Sequence, residues 1–538
     1  MKRKQFLKLS GLSAASLFFT RPYAAIGSPR MDLHFPSRLA VLTGGQWQPL
    51  TGSKERWTLN QLAVTLQHTT DGMTVQLQAP SMAIEKLRLS WEWSFQPTAA
   101  WLGDAWERSY GDLTWTSGLP AQKAPWYLLI NDGAQTHAFG VKTGAKTFCY
   151  WQAGPQQLEL FLDTYSGGVG VELGDRVLHA AEIVTTQSTP GEDPFHTDMR
   201  FCKLMCEKPR LPAKPVYGIN DWYFAYGHNS KDLILKSTAL MAELAPASDN
   251  RPFSVVDDGW ETEDFSKPNA KFGDMSVVAA EIKKLGMRPG LWTRPLLANK
   301  LDKPSALTPA RSAETERYLD PTLPENLKRI GDIISLYKDW GFHLVKHDYS
   351  TFDFFGRWGF QMTEEMTAPA WHFDKRSHTN AEILLNLYTT IRAAAGDMYI
   401  IGCNTVSHLS AGIFELNRIG DDTSGKEWAR TVKMGVNTLA FRLPQHRTFY
   451  AVDGECVGLT TQIPWEKNKQ WMQLLAESGA PLFISAQPEA TGPEQKAYIK
   501  KCFEMAAHHQ PTGQPLDWMT NYRPAKWRLN DRIVTFEW

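Results

Sequence analysis

From about residue 31 to 205, apolar and polar residues alternate in short runs broken by Gly, Pro, Asn and Asp. Val75-Gln76-Leu77-Gln78, Leu87-Arg88-Leu89-Ser90-Trp91-Glu92-Trp93 and Leu158-Glu159-Leu160-Phe161-Leu162 have the period of half-buried strands. The span 31–206 is therefore expected to form a β-sandwich. A Pro- and Lys-rich stretch at 207–215 (EKPRLPAKP) reads as a linker. From 216 onward short apolar runs alternate with amphipathic stretches. Strands are expected at Val216–Asn220, Phe253–Asp257, Arg288–Thr293, His343–Asp348, Met398–Cys403, Phe414–Gly420, Thr438–Arg442 and Pro481–Ile484. Helices are expected between most of them, at Lys231–Leu244, Ser276–Leu285, Leu323–Trp340 and Asn380–Ala394. Strands and helices in this alternation predict a (β/α)8 TIM barrel over 216–511. Residues 512–538 form a short C-terminal extension with room for a strand or two. The expected fold class is multidomain α/β, an N-terminal β-sandwich followed by a (β/α)8 barrel.

Residues 1–25 read as a signal peptide. Met1–Lys8 is basic, Gly11–Phe19 is apolar but too short to span a bilayer, and Ala24 and Ala25 are small. Arg3-Lys4-Gln5-Phe6-Leu7-Lys8 resembles a twin-arginine signal with Lys in place of the second Arg. A periplasmic or secreted location is expected, and no later segment is long and apolar enough for a membrane helix. The 57 Lys and Arg balance 57 Asp and Glu, so no general attraction for nucleic acid or an anionic membrane is expected. The six cysteines, scattered through a chain this large, read as buried thiols.

In a (β/α)8 barrel the working groups stand at the C-terminal ends of the strands. Here those ends read Asp257-Asp258-Gly259-Trp260, Trp292-Thr293-Arg294, Lys346-His347-Asp348, Cys403-Asn404 and Arg418-Ile419-Gly420-Asp421-Asp422. Alternate residues of a strand share a face, so Lys346 points with Asp348 to the barrel mouth, while His343 and His347 point away. A cation beside a carboxylate keeps it ionised, as a nucleophile requires. A general acid needs the opposite environment, and Arg418 near Asp422 works against it unless Arg418 anchors substrate or another carboxylate. Two carboxylates flanking one bond are what glycoside hydrolysis requires. No His-x-His or carboxylate–His cluster stands at a strand end, so no metal and no cofactor is expected.

The Asp-Asp-Gly-Trp, Lys-x-Asp and Arg-x-x-x-Asp motifs, in this order, resemble glycoside hydrolase clan D, families 36 and 27, the α-galactosidases and α-N-acetylgalactosaminidases. Gly290–Pro295 is similar to the family 36 third strand, with Arg294 where Glu is usual. Phe449–Cys456 is similar to an Asp-Pro-Asp-Cys segment, with Glu455 where Asp is usual. The sandwich-first order matches family 36. The resemblance implies Asp348 as nucleophile, Asp422 as acid/base with Asp421 its runner-up, and Asp257 and Asp258 as ligands of the sugar 4- and 6-hydroxyls. It implies Lys346 and Arg418 as further sugar ligands, and Trp222 as a stacking aromatic. Trp292, Cys403 and Asn404 fall at the substrate, Asn404 where the 2-substituent is sensed, with Trp260 and Arg294 as further candidates.

The loop Trp101–Trp115 (WLGDAWERSYGDLTW) either reaches over the barrel mouth, with Asp104 and Trp106 its candidate residues, or is a local turn with a packed Trp pair. The implied activity is retaining, exo-acting hydrolysis of terminal α-galactosyl or α-N-acetylgalactosaminyl residues from an oligosaccharide or glycan. A transglycosylase of the same chemistry and a non-catalytic galactoside-binding protein are the alternatives. The resemblance also allows a homo-oligomer.

Overall fold

A computed structural model of the protein describes residues 33–118, 122–262, 264–299, 306–307, 316–363 and 365–538. The signal expected at 1–25 lies outside the described residues. The alternating runs of the N-terminal region are strands. Lys86–Glu92 and Gln157–Asp163 pair antiparallel with Leu158 opposite Trp91, Leu160 opposite Leu89 and Leu162 opposite Leu87, and all six residues are buried. Their six-stranded sheet faces a second, larger one built around Gly72–Ile84 and Val169–Gln187. Phe139 of the larger sheet meets Trp151 of the smaller at 5.9 Å between ring centroids, so the two apolar faces form one core.

A helix the strand pattern did not anticipate, Pro194–Met205, closes this domain. Asp193 caps it by accepting from the His196 amide, with Pro194 at the first helical position. It lies so close to the sheet that a Cβ on Gly140 would come within 2.8 Å of Met205 Sδ. The stretch 207–215 forms no helix or strand and is tied to the barrel by Arg210–Glu415 and Lys214–Asp249 ion pairs.

Six parallel strands follow in order: Tyr217–Asn220, Phe253–Val256, Arg288–Thr293, Leu344–His347, Tyr399–Gly402 and Leu416–Arg418. The four expected helices appear at Lys231–Leu244, Met275–Lys284, Pro324–Asp339 and Asn380–Ala395. The expected seventh strand does not. Thr438–Arg442 is helical and ends a run that begins at Trp428 and includes a π-helical turn, Val432–Asn437. All five residues of Thr438–Arg442 are buried, and a short run buried all round has no period to separate helix from strand.

The seventh strand is an interrupted one. Ala451–Asp453 pairs with the sixth strand, and Val457–Leu459 pairs with the last, Leu482–Ala486, which pairs with the first. Only Gly454–Cys456 separates the two halves, and three residues span at most roughly 14 Å. The two edges of the nine-segment sheet are therefore neighbours, and the sheet curls into a barrel. Its interior holds Val255, Leu344, Ile401, Leu416 and Phe483. His347 faces outward as parity predicts, buried between Tyr388 and Phe414.

The C-terminal extension adds three antiparallel strands, Gln514–Pro515, Lys526–Leu529 and Arg532–Thr535. Trp518 packs edge-on against Trp115 and Phe195 and tilted against Phe441, joining sandwich, helix and barrel. All six cysteines are buried and free. Among the described residues no helix is long and apolar enough to cross a membrane.

Candidate active site

The fourth strand delivers Lys346 and Asp348 to the barrel mouth. Just past it, Tyr349 adopts a left-handed backbone (φ 61°), a conformation rare outside glycine. That turn aims the Tyr349 amide at Asp348 Oδ1, 2.7 Å away, while Trp292 Nε1 donates to Oδ2 at 3.0 Å. Burial pushes the Asp348 carboxyl up. Lys346, Arg108 and these two hydrogen bonds outweigh it and hold the group below the usual carboxylate range. Lys346 Nζ in turn donates to Asp257 Oδ2 at 2.7 Å. Asn220 donates to the same oxygen, and the Asp257 amide donates to Asp221 Oδ1 at 2.7 Å.

Two carboxyls here are pushed up to about 7. Asp221 is raised by burial and by Asp257. Asp258 is raised by burial, Glu261, Asp257 and Asp348. Replacing the lysine isolates the electrostatics of the nucleophile candidate. In Lys346→Met, burial would dominate at Asp348 and raise its pKa. Activity that needs the ionised carboxylate is lost as pH falls through that pKa, so the acidic limb of kcat/KM should move to higher pH. An acidic limb left in place would exclude Lys346 from this role.

The sixth strand supplies Arg418 and, after Gly420, the pair Asp421-Asp422. Gly420 is required by close approach, since a Cβ there would stand 2.2 Å from the Met434 carbonyl. The sandwich loop docks on this strand end as an added β-bridge. Ser109 N donates to Ile419 O at 2.8 Å, and Asp421 N donates to Ser109 O at 2.9 Å. The loop thereby inserts Arg108 beside both aspartates. Asp421 is held by Arg108 and Arg430, each at 2.8 Å. Asp422 keeps only longer contacts, 3.3 Å to Arg418 and 3.7 Å to Arg108, and its side chain is 39% exposed against 15% for Asp421.

Arg418, fully buried, is balanced mainly elsewhere. It pairs with Glu455 and with Asp453 at 3.3 Å, and Tyr223 donates to Glu455 at 2.9 Å. Both arginines near Asp422 therefore have other carboxylates as first partners.

The remaining candidates divide. Trp222, half-buried, opens the short turn after the first strand and leans on Tyr226 at 5.7 Å. Cys403 is a buried thiol at the fifth strand end, its pKa pushed up by burial. Asn404, expected to sense the sugar 2-substituent, is instead wholly buried. It donates to Glu107, accepts from the Phe352 amide at 3.0 Å, and so clasps the sandwich loop to the segment after Asp348. Trp260 is likewise core, donating to Trp292 O at 3.0 Å and packing on Tyr337 and Trp340. Arg294 is committed to Asp353 and Glu316 and lies 4.3 Å from the Tyr349 ring.

The loop Trp101–Trp115 does reach the mouth, but through a different residue from those expected. Asp104 pairs with Arg442, and Trp106 packs on Trp126 inside the sandwich. The residue at the mouth is Arg108, while its neighbour Glu107 is wholly buried in the clasp with Asn404. They stand in the run that the sequence singled out, but charge alone does not tell which polar residue of an aromatic loop turns inward. Among the described residues no group of three or more His, Cys, Asp or Glu is arranged to hold a metal ion.

No protein-family model matches the chain. No curated protein matches it either. Solved structures do. An α-galactosidase from Thermus thermophilus, in complex with p-nitrophenyl α-D-galactopyranoside, superposes with a TM-score of 0.61 at 17% identity, covering 93% of this chain and 99% of that one. A GH36 α-galactosidase from Geobacillus stearothermophilus, in complex with raffinose, gives 0.61 at 13% identity, covering 93% and 80%. A GH31 sulfoquinovosidase from E. rectale gives 0.55 at 10% identity, covering 93% and 87%. The chain has the sandwich-then-barrel fold of the glycoside hydrolase family 36 α-galactosidases.

Proposed function

We propose that the protein is a retaining exo-α-glycosidase of the family 36 type, acting on terminal galactose-configured residues. One observation carries this reading: a carboxylate held ionised at the fourth strand end and an open one at the sixth share a single barrel mouth, with Arg108 acting on both. In the first step Asp348 attacks the anomeric carbon as the glycosidic bond breaks, and protonated Asp422 gives its proton to the leaving oxygen. In the second step Asp422 takes a proton from water. The oxygen of that water displaces Asp348 and releases the sugar with its α-configuration restored.

Asp422 is favoured over Asp421 because two short ion pairs hold Asp421, while Asp422 is the more exposed. Asp257 and Asp258 are assigned to the 4- and 6-hydroxyls, since paired carboxyl groups can accept from two hydroxyls and so discriminate an axial 4-OH. The basic then apolar N-terminus supports export. The structural neighbours support the sugar class, two of them being α-galactosidases crystallised with α-galactosides.

A panel of p-nitrophenyl glycosides tests the reading: α-galactoside, α-N-acetylgalactosaminide, β-L-arabinopyranoside and α-glucoside. Turnover confined to galactose-configured members is expected. Turnover of the α-glucoside alone, or of none, would overturn it.

A further inference from the structure

The turn after the second strand brings a further carboxyl against Asp258. The chain reverses at Gly259, where φ is 105° and a Cβ would stand 2.6 Å from the Gly227 carbonyl. Asn269 fixes the turn from the other side. Its side chain donates to Gly259 O at 2.8 Å and to Glu261 O at 3.3 Å, and its amide donates to Trp260 O at 2.8 Å. Glu261 also bridges to Pro268. Held in this way, the half-buried Glu261 side chain returns to the half-buried Asp258, and the two carboxyls hydrogen-bond to each other. Glu261 Oε2 is buried and receives no N–H or O–H from the rest of the protein.

Two carboxylates have only acceptors, so a hydrogen bond between them requires that one carry a proton. A proton on Asp258 also supplies the donor that a buried carboxyl oxygen otherwise lacks. The surrounding charges favour keeping it. Asp257 on the same strand end and Asp348 on the fourth strand face Asp258, with the Tyr349 phenol close by. The cations of the mouth are committed elsewhere: Lys346 to Asp257, Arg108 to Asp421, and Arg418 to Asp453 and Glu455. Like charges this close disfavour a second ionisation.

We propose that Glu261 is a positioning residue: it and Asp258 hold one proton between them at neutral pH, and the sugar hydroxyl assigned to Asp258 binds to that pair rather than to a lone carboxylate. The inference deepens the proposed glycosidase reading and rests on it. The shared proton ties the Asp258 carboxyl to the turn and keeps its other oxygen aimed at the sugar. Loss of that proton puts two negative charges side by side, next to Asp257 and Asp348, and frees Asp258 from this orientation. Sugar affinity therefore falls as pH rises through the value of about 7 to which Asp258 is pushed.

The test titrates galactose by calorimetry into the wild type, Glu261→Gln and Glu261→Ala between about pH 6 and about pH 8. The wild type should bind roughly tenfold more weakly at the upper end, as expected for one linked proton. The glutamine amide donates to an ionised Asp258 and holds no such proton, and alanine removes the partner altogether. Both variants should lose several-fold less affinity over the same range. Asp221, also pushed up to about 7, is present in all three proteins, so the difference between profiles isolates the pair. A flat wild-type profile, or an equal fall in all three, would overturn the inference. Urea midpoints give a readout that needs no sugar. A carboxyl raised in the folded state contributes stability at low pH that is lost as pH rises through its folded pKa. The wild type should therefore lose stability relative to Glu261→Gln between about pH 4 and about pH 7. Galactose bound by none of the three proteins would end the galactose reading alone. The urea curves then decide the pair: the expected divergence supports the shared proton, and parallel curves exclude it.

Discussion

Asp348→Ala should lower kcat on an aryl α-galactoside by roughly 10⁴-fold or more, because no other group stands where the covalent bond must form. Binding of galactose should survive, since Lys346, Asp257 and Asp258 are untouched and keep their mutual contacts. The stereochemistry of rescue separates the two carboxylates. In Asp348→Ala, added azide can enter the space left by the carboxylate and displace the leaving group directly, giving the β-glycosyl azide. In Asp422→Ala the glycosyl-enzyme still forms from an activated aryl glycoside, and azide then displaces Asp348 to give the α-glycosyl azide. Exchange of these two products between the variants would reverse the roles. Near-normal turnover by Asp348→Ala would end the assignment.

The second large effect is on stability. Arg442 is fully buried where the sandwich loop meets the barrel. Its Nε stands 2.9 Å from Asp104 Oδ1, and its other nitrogens donate to Asp104 Oδ2 (3.1 Å), Glu107 O (2.8 Å), Ile419 O (3.1 Å) and Ser407 Oγ (2.6 Å). Arg442→Met would leave Asp104 as a buried carboxyl without its cation, and removing one partner of a buried pair costs about 3–5 kcal/mol. The double variant Asp104→Leu/Arg442→Met, which buries no unpaired charge, should recover much of that loss. Denaturation midpoints measure both. A single variant as stable as the wild type would show that this contact does not hold the domains together. Because Glu107 O and Ile419 O flank Arg108 and the Asp421-Asp422 corner, the single variant should also lose kcat.

The division between what was legible in the chain and what was not follows contact distance. Leu87, Leu89, Leu158 and Leu160 announced their strands because a pleat repeats every two residues, and Lys346 with Asp348 announced a shared face for the same reason. Strand-end motifs placed Asp257, Asp258, Asp348, Arg418 and Asp422 at one barrel mouth, since barrel topology itself brings strand ends together. Thr438–Arg442 misled because its burial is complete, so its local pattern carried no period. The interrupted seventh strand was hidden for a related reason: three residues on each side of Gly454–Cys456 are too few to show one.

The sequence by itself determined the order of domains, the ends of every barrel strand but the seventh and the candidate carboxylates, all set by patterns within a few residues. Only the tertiary structure decided what surrounds them. That Arg108 rather than Asp104 enters the mouth, that Asn404 and Trp260 are turned into the protein, and that Asp421 is held while Asp422 stays open all depend on contacts between the sandwich loop and the barrel. Such contacts join segments far apart along the chain. They are chosen by which buried charges find partners once the domains dock, a competition that leaves no local period in the sequence.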